Sequence, residues 1–277
     1  MPDHPSQPNS YGQPNSPVRV AALSYFFPAH DEAGNIEALV DEALLELGRI
    51  AERFEIIAVD DGSTDGTGAI ADRLAVTHPD VVRVVHHPAN LGYGAAVRSG
   101  LAAARYPLIC FTDGDRQFRV ADLARLTARL EPAADGADVA DVVAGYRIKR
   151  ADPALRLAYA RAYRAALRVF FGLRVRDPDC ACKLFRREAL EGVRVESGGA
   201  FLSAELLIKI EGRGGMIVEQ GVPHYPRTAG RASGADPRVV ARAVKDFWSL
   251  RLRLWAGREA ALRRGQPILA DSGGERR

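Results

Sequence analysis

A chain of 277 residues with 47% apolar content is long enough to bury one large core or two small ones. Its formal net charge of +3 gives no general case for binding nucleic acid, which calls for a strongly basic surface. Three cysteines, Cys110, Cys180 and Cys182, make no disulfide framework, and Cys180-Ala181-Cys182 is spaced wrongly for zinc, so a reducing, cytoplasmic setting is expected. Residues 1–17, rich in Pro, Ser, Asn and Gln, are expected to form a disordered tail without a basic-then-apolar leader. No apolar run approaches the length that spans a bilayer.

Residues 18–27 read as a first strand that ends in Pro28-Ala29-His30-Asp31-Glu32. Ile36, Leu39, Val40, Leu44 and Leu47 then fall at helical spacing over 35–50, with Asp31 or Asn35 as the cap. A second strand over 54–59 runs into Asp60-Asp61-Gly62-Ser63-Thr64-Asp65-Gly66 and a helix over 67–77. Asp61 and Asp65 suit turn-making and capping. A third strand covers 81–86, and Asn90-Leu91-Gly92-Tyr93-Gly94 opens a helix through Ala104.

Leu108 to Phe111 is a continuous apolar run between Pro107 and the Gly114 turn, the pattern of a strand covered on both faces. Asp113 and Asp115 follow at its carboxyl end, where ligands bind in open α/β sheets. Two carboxylates two residues apart and the amide of Gln117 make an all-oxygen set suited to Mg²⁺ or Mn²⁺. Further elements are a helix over 122–130, a strand over 138–144 ending in Gly145-Tyr146-Arg147, and an arginine-dense helix over 156–171. Helices over 188–191 and 201–211 and a strand over 216–219 follow. One amphipathic helix covers 238–264, and 265–277 reads as a second tail. The alternation of strand and helix predicts a doubly wound, mostly parallel α/β sheet over 18–237.

Five motifs in combination make the chain resemble the family 2 glycosyltransferases with a GT-A fold, in the branch of dolichyl- or polyprenyl-phosphate sugar synthases. They are Pro28-Ala29-His30-Asp31-Glu32, the run from Val59 through Asp60 to Thr67, Asn90-Leu91-Gly92-Tyr93-Gly94, Thr112-Asp113-Gly114-Asp115-Arg116-Gln117 and Lys183-Leu184-Phe185. The resemblance covers nearly everything from Val20 to Leu254. It implies inverting transfer of a sugar from a nucleotide-sugar, of GDP-mannose or UDP-glucose type, to a polyprenyl phosphate, helped by Mg²⁺ or Mn²⁺. It implies that Pro28, His30 and Glu32 line the nucleotide pocket, where Asp60, at the end of the second strand, can accept from a nucleobase or ribose hydroxyl, and Asp113 is counted with the donor-binding residues. The chain departs from the family pattern at His30-Asp31, Gly114 and Ala181-Cys182.

A cation on Asp113, Asp115 and Gln117 would neutralise charge on the departing nucleotide, which makes Asp115 a catalytic candidate. Arg147, Arg161, Arg227 and Arg231 are candidate phosphate clamps, because a guanidinium binds phosphate through two parallel hydrogen bonds. Arg147 and Arg231 match family positions, and Arg231 is also placed among the catalytic residues. Lys183 is either a phosphate ligand or structural. Glu205 and Asp179 are each a general base or a structural group, and a base is needed only for a hydroxyl acceptor. Gly92 either admits the donor or makes a turn, and His224 is a packed histidine or an extra metal ligand. The apolar stripe Val240, Val244, Phe247, Leu250 and Leu254, flanked by Trp248 and Trp255, either packs on the domain or meets a peripheral membrane surface. A soluble or protein hydroxyl acceptor, and a nucleotide-sugar-binding regulator without turnover, are the competing readings.

Overall fold

The computed structural model describes residues 19–130, 139–148, 154–227, 237–257 and 264–269. The expected N-terminal tail, Arg231, the stretch 258–263 of the last helix and most of the C-terminal tail lie outside the described residues. β1 (Val20–Ala29), β2 (Ala51–Asp60), β3 (Val82–His86) and β4 (Leu108–Phe111) are the parallel half of a seven-stranded sheet. α1 (Ile36–Ile50), α2 (Thr67–Thr77) and α3 (Tyr93–Ala103) are the crossovers between them. α1 buries Ile36, Leu39, Val40, Ala43, Leu47 and Ile50 against the sheet, close to the face that the apolar spacing predicts. Leu23, Phe26, Phe27, Ile109 and Phe111 are buried, as befits strands covered on both faces.

α4 (Leu123–Thr127), β5 (Val142–Arg147), α5 (Ala154–Phe171), β6 (Lys183–Arg186) and α6 (Arg187–Leu190) follow. β7 (Arg194–Val195), α7 (Leu202–Gly212), β8 (Ile217–Val222) and α8 (Pro237–Ala256) complete the main order. The large sheet reads β3-β2-β1-β4-β6-β5-β8, with β6 antiparallel to both β4 and β5 and the other pairs parallel. The expected mostly parallel sheet is present. The sequence reading assigns no strand to Lys183–Arg186, because a four-residue segment that buries a lysine carries no apolar alternation.

Two further differences concern the C-terminal part. The tail expected from residue 265 begins instead with β9 (Gln266–Pro267), which pairs antiparallel with β7, and Ile268 is buried beside it. α8 ends at Ala256, and the stripe expected on it is split. Phe247 and Leu250 face the core, whereas Val240 and Val244 are exposed. Among the described residues no helix is long and apolar enough to cross a membrane.

Candidate active site

β2 and β3 lie on one side of β1, and β4 on the other, so the chain reverses direction across the sheet between β1 and β4. The crevice beyond the carboxyl ends of such strands is where α/β sheets bind ligands. Here it holds Pro28 to Glu32 at and just beyond the end of β1, Asp60 at the end of β2, and Asp113-Gly114-Asp115 after β4. Gly114 brings the β4 turn against the end of β1. A Cβ there would stand 2.7 Å from the Pro28 carbonyl oxygen, so any larger residue pushes the two apart. From α1, Glu42 Oε1 accepts the Val120 amide at 2.8 Å and Oε2 meets Arg119 at 3.4 Å, which fixes the far side of the same turn.

Asp113 Oδ1 is buried and has no hydrogen-bond partner. Burial, and then the neighbouring charge of Asp115, push the Asp113 carboxyl up to about 7, against the lowering effects of the Tyr93 hydroxyl, Lys183 and Arg147. An orphaned carboxylate oxygen next to a second carboxylate suits a hard divalent cation. Among the described residues no group of three His, Cys, Asp or Glu side chains is gathered for a metal. The protein would therefore offer Asp113 and Asp115 and leave the remaining positions to water and phosphate, as Mg²⁺ commonly requires.

The other residues expected in this crevice have defined partners. Asp115 is buried, with Oδ1 accepting the Gln117 amide at 3.0 Å and Oδ2 paired with Arg227 at 2.6 Å. Arg227 also reaches Glu32 at 3.1 Å, so this expected phosphate clamp is instead a bridge between two carboxylates. Gln117 fastens the segment that carries Arg227: its Nε2 donates to the Tyr225 carbonyl at 3.2 Å, and its own carbonyl accepts the Tyr225 amide at 2.9 Å. His224 packs its ring on Phe118, 5.3 Å between centroids. His30 Nδ1 lies 3.0 Å from the Asp61 carbonyl. Burial works to raise the Asp60 carboxyl, but hydrogen bonds from Ser63 and His86 outweigh it and hold the group below its ordinary range. Gly92 has φ 93°, a left-handed conformation, and its amide is bound by Asp61 at 2.9 Å, so its observed part is a turn.

Arg147 ends β5 and is held by Asp177 through a double contact, Nε to Oδ2 at 2.6 Å and a terminal nitrogen to Oδ1 at 2.8 Å. Around this pair lies an arginine-rich cleft of about 190 Å³, lined by Tyr146, Arg161, Arg164 and Arg176. Arg176 stacks over the Tyr146 ring, 4.7 Å from its centroid. The structure thus brings two of the expected phosphate ligands, Arg147 and Arg161, into one cleft, and Arg147 is near enough for its charge to act on Asp113.

Two residues left open by the sequence have structural partners here. Lys183 is fully buried, and its ammonium donates to the carbonyls of Pro178 and Cys180, so it anchors a loop and does not face phosphate. Glu205 is 1% exposed, pairs with the buried Lys209 at 2.9 Å, and accepts the amides of Glu196 and Ser197 at 2.9 and 2.8 Å. Both its oxygens are committed, which makes it a brace for residues 196–197 and not a base. Sequence reasoning missed Tyr93 beside Asp113 and Asp177 beside Arg147. The available signal was that Tyr93 lies in a motif already quoted and that Asp177 stands two residues before Asp179.

Similarity to known proteins agrees with this layout. The chain is 32% identical to glycosyltransferase AglD of Haloferax volcanii over 243 residues, which is 84% of this chain and 37% of that protein. It therefore spans little more than a third of that relative's length. It is 29% identical to the polyprenol monophosphomannose synthase of Mycolicibacterium smegmatis over 238 residues, 82% of this chain and 86% of the other. A solved glucosyl-3-phosphoglycerate synthase of Mycobacterium tuberculosis, in complex with Mn²⁺, UDP and glucosyl-3-phosphoglycerate, shares the fold. The TM-score is 0.62 at 22% identity, over 91% of this chain and 82% of that one. The mostly parallel sheet flanked by helices is accordingly of GT-A type. The family model described as glycosyl transferase family 2 matches residues 24–194, which takes in the carboxyl half of β1, β2 through β6 and both carboxylates at the end of β4, and this chain belongs to that family.

Proposed function

We propose that this chain transfers a hexose from a nucleotide-sugar to a polyprenyl phosphate, with inversion at the sugar carbon. The observation that carries the reading is the buried, unpartnered Asp113 Oδ1 beside Asp115, within the field of the arginine cleft at Arg147. When bound, Mg²⁺ or Mn²⁺ on Asp113 and Asp115 would supply neutralisation of the diphosphate as its bond to the sugar breaks. The Arg227 bridge to Glu32 and Asp115 holds the second carboxylate in place. Asp60 at the end of β2 and His30 just after β1 are the residues assigned to the nucleoside in this reading. Arg161, Arg164 and Arg176, in the cleft beside the Arg147–Asp177 pair, orient the acceptor phosphate, whose oxygens suit guanidinium forks.

A phosphate monoester has a second pKa of about 6, so near neutral pH the nucleophile has no proton to lose and needs no base. The full commitment of Glu205 to Lys209 and two backbone amides fits a reaction of that kind. The name of the polyprenol monophosphomannose synthase points to the same acceptor class. The test is release of nucleoside diphosphate from GDP-mannose and UDP-glucose. Release that requires both a polyprenyl phosphate and Mg²⁺ or Mn²⁺ is the expected result. Turnover with a hydroxyl acceptor alone would overturn the acceptor, and nucleotide-sugar binding without any turnover would overturn the activity.

A further inference from the structure

We propose that α5 and α8 together form a platform that seats on an anionic lipid surface. α8 is apolar on two faces. One puts Phe247 and Leu250 into the core. The other carries Val240, Val244, Trp248, Leu252 and Trp255, which at steps of four, four, four and three residues share one side of a helix. All five are exposed, Leu252 by 60% and Trp255 by 80%. A continuous exposed stripe of this kind marks an interaction surface, unlike scattered single apolar residues. α5 lies alongside. Phe170 meets Trp248 edge-on at 5.2 Å and Phe247 at 5.7 Å, so the two helices present one continuous surface. Ala162, Ala165 and Val169 of α5 are exposed too, Val169 by 76%.

Charge identifies the occupant. α5 carries four arginines and no acid, and α8 carries five Arg or Lys and one acid, Asp246. An outward apolar stripe with two tryptophans inside a cationic rim matches an anionic bilayer, where aromatic rings sit at the headgroup level and cations gain from the surface potential. Arg161 and Arg164, on the flank of α5, also line the arginine cleft, so a seated platform holds that cleft at the headgroup layer. The inference complements the lipid-phosphate reading, and its evidence is separate.

Trp248 and Trp255 are the only tryptophans in the chain, so intrinsic fluorescence reports on the platform alone. The full chain is titrated with vesicles of phosphatidylglycerol and phosphatidylcholine, with phosphatidylcholine alone, and with brominated versions of each. A blue shift and bromine quenching with the anionic vesicles, at least tenfold weaker with the neutral ones, is expected. Lys245→Glu with Arg168→Glu removes two exposed cations and should weaken binding at least about 25-fold, from about fivefold for each cation near the surface. Leu252→Glu with Trp255→Glu should abolish co-sedimentation while circular dichroism stays unchanged. Three results overturn the inference: no shift with any vesicle, equal partitioning of all variants, or self-association lost in these variants without vesicle binding. Because the vesicles contain no acceptor, binding to them tests the platform alone, and a chain that binds vesicles yet transfers no sugar to a water-soluble polyprenyl phosphate refutes only the proposed activity. Transfer to a short, water-soluble polyprenyl phosphate without vesicle binding refutes only the platform.

Discussion

Asp113→Asn should make the metal-free protein more stable at pH 8 while abolishing its response to Mn²⁺. The carboxyl is raised from 3.8 to about 7, first by burial and then by Asp115. The folded-state pKa lies above the unfolded one, so the folded state keeps a proton that the unfolded chain has released. The contribution of this one group to stability is therefore fullest below about pH 4, falls as pH rises, and levels off above about pH 7. Three pK units correspond to about 4 kcal/mol. Asp113 is partly exposed, and solvent screening reduces the cost of the ionised group to about 2 kcal/mol. Asparagine keeps the shape and removes the charge. For a chain of this size, thermal unfolding in EDTA should then rise by about 4–8 °C at pH 8, with the difference vanishing near pH 4. Adding Mn²⁺ at 100 times its dissociation constant should stabilise the parent by about 2.7 kcal/mol and leave the variant unchanged. A variant that melts below its parent at pH 8 in EDTA, or that gains equally from Mn²⁺, would refute the assignment of Asp113 as a destabilised cation ligand.

Asp177→Asn takes the charged partner from Arg147, in a pair whose side chains are only 12% and 8% exposed. It should cost about 3 kcal/mol in urea unfolding, and unaltered stability would show the pair to be replaceable. Glu205→Gln leaves the Lys209 charge buried and should cost a similar amount, about 3 kcal/mol, with kcat per folded molecule held within about threefold. A hundredfold fall in kcat at parental stability would restore Glu205 as a base. Arg161→Ala should raise KM for the polyprenyl phosphate about tenfold, the loss of one charge-assisted hydrogen bond, and leave the donor KM alone. Equal KM values for the acceptor would remove Arg161 from phosphate binding.

The parallel half of the fold was legible because its signals are local. Leu108 to Phe111 is apolar at every position and bounded by turn residues, and all four residues are buried as expected. The spacing of Ile36, Leu39, Val40 and Leu47 gave the correct face of α1. β6, β7 and β9 were not legible, since strands of two to four residues exist only through partners far along the chain. The same limit applies to charge. Asp113 and Asp115 are neighbours in sequence, so their joint chemistry can be read directly. Arg227 and Asp115 are 112 residues apart and Arg147 and Asp177 are 30 apart, and no local pattern reveals that these arginines are already paired. α8 was misjudged for a different reason. A helix apolar on two sides has no single stripe, and only the packing says that Phe247 faces in and Trp255 out.

The unexpected strand is what ties the two halves of the site together. In the antiparallel register Lys183 stands opposite Phe111, two residues before Asp113, and opposite Ala144, three residues before Arg147. Its ammonium holds the carbonyls of Pro178 and Cys180, which fixes the loop that presents Asp177 to Arg147. Burial lowers the pKa of this lysine, while the nearby Cys180, Asp179, Asp177 and Asp113 raise it. A slip of one residue in β6 would turn Lys183 to the opposite face of the sheet. The loop would then lose its anchor, Arg147 its partner, and Asp113 one of the two cations that restrain its pKa. One buried lysine on the strand between β4 and β5 thereby sets the relation between the carboxylates at the end of β4 and the arginine cleft at the end of β5.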